Sequence, residues 1–195
     1  MQASPPRLLA QALACRRGER VLFAGLGLEL GPGEALHVRG ANGIGKSSLL
    51  RLLAGLARPE AGQVIRQGAI GLVDERPALD PHLPLGRALG FWAALDGGKS
   101  IAAAARLGLG ELLDVPVRYL SSGQRKRAAL ARLITQPAMI WLLDEPLNGL
   151  DAAAADLAAR LAAERCATGG ICVIASHQPF ALAGMATLDL AGFAP

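Results

Sequence analysis

The 195-residue sequence predicts an α/β fold with a mainly parallel core sheet, an N-terminal antiparallel β subdomain and a small helical subdomain. In the last third of the chain, apolar runs alternate with helical patterns, the arrangement of a parallel sheet covered by helices. Over 8–39, short apolar runs are separated by the turns Arg17-Gly18-Glu19 and Gly31-Pro32-Gly33, as in a small antiparallel sheet. Over 84–120 the spacing is helical and broken at Gly97-Gly98 and Pro116, which marks a separate helical lobe.

The elements follow in order. Leu8-Leu9-Ala10-Gln11-Ala12-Leu13-Ala14-Cys15 resembles the end of a secretory or lipoprotein signal, but its apolar part is short and interrupted by Gln11, so it is read as the first strand. Ala35–Arg39 reads as a short strand leading into a Gly-rich loop, and 48–54 as an amphipathic helix beyond it. Short strands follow at 63–65 and 69–73, then the helical lobe. The runs 138–143 and 170–175 read as buried strands, with a helix over 151–166 between them.

The length suits one substantial core, so 1–195 is taken as one domain with the helical subdomain, about 80–122, inserted in it. Hydrophobic residues make up 52 % of the chain, but much of this is Ala, and no run reaches the about eighteen apolar residues of a membrane span. A net charge of +4 would suit nucleic acid or an anionic surface. The clusters Arg16-Arg17 and Arg125-Lys126-Arg127 each lie beside another motif, however, and no aromatic residues interleave with them to stack on bases, so nucleic acid is not expected as a partner. Cys15, Cys166 and Cys172 lack metal-ligand spacing and read as small buried side chains; their odd number fits a reducing cytosol.

Gly40-Ala41-Asn42-Gly43-Ile44-Gly45-Lys46-Ser47 is a complete G-x-x-x-x-G-K-S phosphate loop between the expected strand and helix. Glycines let successive N–H groups turn inward around phosphates, Lys46 would reach the β- and γ-phosphates, and the Ser47 hydroxyl would take a Mg²⁺ position. The loop would also set the anion at a helix N-terminus, where unpaired N–H groups and the helix dipole favour it. A chance match somewhere in a chain this long is on the order of 1 %. The expected ligand is a nucleoside triphosphate with Mg²⁺, and Ser48 completes the candidate nucleotide-binding residues of this segment. Asp144-Glu145 follows the apolar run 138–143, which places both carboxylates at a strand's C-terminal end. Asp144 would hold the Mg²⁺ shell and Glu145 would act as general base on the attacking water.

Leu120-Ser121-Ser122-Gly123-Gln124, continued by a basic and then apolar helix over 125–133, resembles the signature peptide of the ATP-binding-cassette (ABC) ATPases, with Ser122 where that family most often has Gly. The resemblance implies a P-loop NTPase fold of the ABC-ATPase type that binds ATP and Mg²⁺. It also implies that Ser121, Ser122, Gly123 and Gln124 bind the γ-phosphate of ATP held by a second copy of the chain, a role suited to a helix start. A plain Ser-capped helix has the same local sequence. By the same resemblance, His177 matches the switch histidine at the γ-phosphate and acts with Glu145 in catalysis. Asn148-Gly149-Leu150-Asp151 matches the loop coupling the two subunits, Asp151 being also a helix N-cap. His37 and His82 receive no function.

Two positions depart from the family pattern. The aromatic residue that stacks on adenine falls near Arg17, whose guanidinium is expected to stack instead. The Gln that contacts Mg²⁺ and relays nucleotide state to the membrane partner falls at Glu75, with Arg76 the next candidate. A carboxylate can still ligate Mg²⁺, so Ser47, Asp144 and Glu75 form the candidate metal set.

Within the family, the stretches 13–23, 32–36, 39–43 and 49–56, together with Phe91-Trp92 and Ser176-His177-Gln178-Pro179, resemble the ATP-binding subunit of the bacterial cytochrome c maturation system, a haem exporter. That resemblance implies two ATPase copies under an integral membrane permease with haem-handling membrane proteins, peripheral at the cytoplasmic face of the inner membrane. ATP hydrolysis there would drive release of a haem-loaded chaperone. No residue here forms a haem-attachment motif, so cargo would be handled by the partners. Two other readings stay open: a soluble non-transport ABC ATPase for cofactor assembly of the iron–sulfur type, and a cassette that binds ATP without hydrolysing it.

Overall fold

The computed structural model describes residues 4–194. β1 (Arg7–Arg17) and β2 (Arg20–Leu30) form an antiparallel hairpin paired from Leu8↔Leu30 to Arg17↔Arg20. Leu8, Ala10, Leu13 and Cys15 of β1 are buried. The alternation changes parity between Ala10 and Leu13, where Ala12 takes φ +47° and the register with β2 shifts, as in a β-bulge.

β3 (Ala35–Arg39) leaves the hairpin and enters a second sheet, so it does not extend the antiparallel sheet expected over 8–39. α1 (Lys46–Ala54) follows the phosphate loop and buries Leu49, Leu50, Leu52 and Leu53. β4 (Ala61–Gln67) then returns to the free side of β1, completing a three-stranded antiparallel sheet in the order β2-β1-β4. β5 (Ile70–Val73) crosses back to the second sheet.

Between β5 and the next strand come α2 (Leu85–Asp96), α3 (Ser100–Arg106), two short 3-10 turns and α4 (Ser122–Thr135). α2 ends at Gly97, and Pro116 lies between the two turns. β6 (Ile140–Asp144), α5 (Ala152–Ala167) and β7 (Ile171–Ala175) follow. β8 (Ala186–Asp189), a short strand with no clear sequence pattern, lies at the sheet edge. The second sheet has the order β5-β6-β7-β3-β8, and all its pairs are parallel.

β6 and β7 are buried at every residue, which explains their continuous apolar runs: both faces of the sheet are covered. One face, with Ile140, Leu142 and Val173, packs with α1 and the antiparallel sheet. The other, with Trp141, Leu143 and Ile174, packs with α4, α5 and the helical segment. No helix among the described residues is long and apolar enough to cross a membrane.

Candidate active site

Four strand ends meet at the carboxyl edge of the parallel sheet, where such sheets bind ligands. β3 leads into the phosphate loop, β5 into Asp74-Glu75, β6 ends at Asp144 with Glu145 next, and β7 leads into Ser176-His177. A cleft of about 390 Å³ there is lined by Asn42, Gly43, Gly45, Lys46, Ser47 and Ser48 of the loop. Arg17, Arg20 and Leu22 from the hairpin, with Glu75, Glu145, Asn148 and His177, complete its wall.

Gly45 caps α1 with φ +118°, a conformation that side-chain-bearing residues rarely adopt. A Cβ there would also stand 3.2 Å from Leu22, so glycine lets the hairpin pack directly on the loop. That packing brings Arg17 and Arg20, paired across the hairpin, to the cleft. Ile44 packs beneath the loop against the core, and Gly40 and Ala41 contribute carbonyls. Lys46, only 6 % exposed, donates to Gly40 O at 2.9 Å and Ala41 O at 3.3 Å, and its Nζ lies 3.5 Å from Glu145 Oε1.

Glu145 is the hub. Its backbone has φ +43°, its N–H donates to Ala175 O at 2.8 Å, and its Oε2 lies 2.9 Å from His177 Nδ1. The carboxylate therefore spans Lys46 on one side and His177 on the other. Asp144 is 4 % exposed, and its Oδ1 has no hydrogen-bond partner. Burial raises its pKa above the ordinary value, while the Ser47 hydroxyl beside it works the other way. Ser47, Glu75 and Asp144 line one adjoining cleft of about 620 Å³, which also takes in Arg76.

An unpartnered buried carboxylate oxygen beside a serine hydroxyl is the hard-oxygen donor set that suits Mg²⁺. Among the described residues no group of three His, Cys, Asp or Glu side chains is placed to hold a metal ion by itself.

None of Ser121 to Gln124 lines this cleft, although Ser122 adjoins it. Ser121 caps α4 through a capping box with Gln124: the Gln124 N–H donates to Ser121 Oγ at 3.2 Å and the Ser121 N–H to Gln124 Oε1 at 2.7 Å. The plain capping role is thus real. Ser122 borders a recess of about 170 Å³ with Glu75, Glu145 and Asn148. Gly123 packs so closely on Gly149 that a Cβ at 123 would collide with the Gly149 carbonyl. Leu150 packs on the apolar core, and Asp151 Oδ1 caps α5 by accepting from the Ala154 N–H at 2.8 Å.

Sequence reasoning missed one residue lining the site and two buried behind it. Arg20 was legible only as Arg17's cross-strand partner. His37, 1 % exposed, accepts from Arg39 Nε at Nδ1 (3.1 Å), so its Nε2 carries the proton that goes to Ser176 O at 3.2 Å, next to His177. Lys126 belongs to a basic cluster in the sequence but is buried behind Asp144 in the fold.

The family model for ABC transporters matches residues 23–148. The chain belongs to the ABC transporter family. This ABC ATP-binding protein is 57 % identical over 188 residues to the cytochrome c biogenesis ATP-binding export protein CcmA of Novosphingobium aromaticivorans, covering 96 % of this chain and 97 % of that one. It is 50 % identical over 189 residues to the protein of the same name from Zymomonas mobilis, covering 96 % and 86 %. A solved ABC transporter in an inward-facing conformation matches it with a TM-score of 0.79 at 27 % identity, covering 95 % of this chain and 80 % of that one. The ABC ATPase fold and the binding of ATP follow from this membership.

Proposed function

We propose that the chain is the ATP-hydrolysing subunit of a haem-exporting cytochrome c maturation complex. Two copies would work beneath an integral membrane permease and its haem-handling partners, peripheral at the cytoplasmic face of the inner membrane. The observation that carries the catalytic part is the Glu145 carboxylate, held between Lys46 and His177 at the lip of the phosphate loop. The names of the relatives carry the choice of complex.

In this reading Lys46, which now donates to loop carbonyls, turns its ammonium to the phosphates, and the α1 N-terminus receives them. Mg²⁺, held by Ser47 and Asp144 with Glu75 as a further oxygen, would neutralise phosphate charge. Glu145 takes the proton of the attacking water, and His177 holds the carboxylate's second oxygen. The signature residues Ser121 to Gln124 lie outside their own chain's cleft, which supports their use by a second copy. The coupling loop, packed against Gly123, would link the two.

The test is isolation of the tagged chain from membranes. An integral permease should come with it, and Glu145→Gln should lower ATP turnover of that complex by about a hundredfold or more, the range of a general base. Iron–sulfur scaffold proteins in place of a permease would contradict this reading.

A further inference from the structure

Lys126 is a buried ammonium for which neither the phosphate loop nor the signature peptide accounts. It is 9 % exposed and sits in the second turn of α4, just beyond the signature residues. Its Nζ donates to the Asp144 carbonyl at 3.2 Å and lies 3.4 Å from the Asp74 carbonyl. Those carbonyls belong to the ends of adjacent strands, and the next residues are Glu145 and Glu75. One side chain therefore ties the start of the signature helix to both strand ends that carry the site's carboxylates.

Burying an ammonium costs free energy unless other groups offset it, whereas methionine would fill much the same space at no such cost. The carboxylates of Asp144, Asp74, Glu75 and Glu145 provide the offset, although burial still pulls the lysine below its ordinary pKa. A second fastening runs parallel to the first. Gly123 lies against the Gly149 carbonyl, and Ser122 shares a recess with Glu75, Glu145 and Asn148. The signature turn is thus in contact with both the strand ends and the coupling loop of its own subunit.

We propose that Lys126 is a positioning residue joining the two half-sites carried by one subunit, so that seating of its signature turn on the partner's ATP is transmitted to its own Asp144-Glu145 and Asp74-Glu75. The inference rests on the two-copy reading above and names the side chain through which the two sites communicate.

Mixed dimers with a different tag on each copy test it. Glu145→Gln in one copy silences that copy's site, leaving one composite site to turn over. In the first arrangement Lys126→Met is placed on the copy with intact Glu145; in the second it is placed on the Glu145→Gln copy, whose signature turn completes the working site. In both, kcat should fall about tenfold, the size typical of an outer-shell positioning group. KM for ATP should stay within about twofold, and Lys126→Arg should restore most of the rate. Should Lys126→Met fail to fold, as judged by thermal unfolding, Lys126→Gln should give the same paired losses. Loss in the first arrangement alone, or in neither, overturns the inference. Ser121→Ala in the second arrangement checks the underlying reading: unchanged turnover there would remove the composite site itself, and the inference with it.

Discussion

Glu145 holds a left-handed backbone conformation, φ +43°, that costs a non-glycine residue about 1–3 kcal/mol and persists only where surrounding contacts fix it. Here the contacts are the backbone bond to Ala175, the Lys46 ammonium and His177. Lys46 is the residue from which most can be learned by removal. Lys46→Ala should weaken ATP binding by about tenfold or more, the worth of a charge-assisted hydrogen bond, in titration calorimetry with a non-hydrolysable analogue. Unchanged binding would contradict the phosphate-loop assignment.

His37 gives a prediction in pH. Burial holds its pKa below 6.5, against the opposing influence of its bond to the Ser176 carbonyl. As pH falls below 6.5 the unfolded chain takes up a proton that the folded chain refuses, so folding stability drops with falling pH in that window. Chemical denaturation of His37→Gln across the same range should show a shallower decline, and an unaltered slope would remove His37 as its source. Residues tied to phosphate chemistry were legible because spacing itself encodes them. His37 and Lys126 were not, because their roles come from partners distant in the chain, at Ser176 and Asp144.

Elements divide in the same way. α1 and α4 are announced locally, one by the glycine before Lys46 and the other by the Ser121–Gln124 capping box. β6 and β7 are announced by apolar runs that only a doubly covered sheet can use. β4 is exposed along most of its length and carries no alternating pattern, so nothing local assigns it to the antiparallel sheet. β3 pairs with strands that come more than a hundred residues later, a choice its own residues do not state. β8 spans Ala186–Asp189 at the sheet edge, where too little is buried to leave a periodic signal. α1 couples folding to function most directly, since Leu49 is fully buried three residues after Lys46. Leu49→Ala should cost about 2–5 kcal/mol in urea unfolding. A change well below that range would mean that the helix is not anchored by this face.

At the scale of the whole molecule, two sheets and a helical segment bring the phosphate loop, Glu145 and His177 to one edge and leave the signature turn outside that cleft. The motifs made the nucleotide site readable, whereas the buried clamp behind it required the fold. In the proposed function the nucleotide site is half of a pair. Glu145→Gln, which should bind ATP but not split it, examines this by sedimentation velocity with saturating Mg²⁺-ATP and, separately, with ADP. A dimer with ATP and a monomer with ADP is the expected result. A monomer in both, with ATP binding intact, would rule out the paired site.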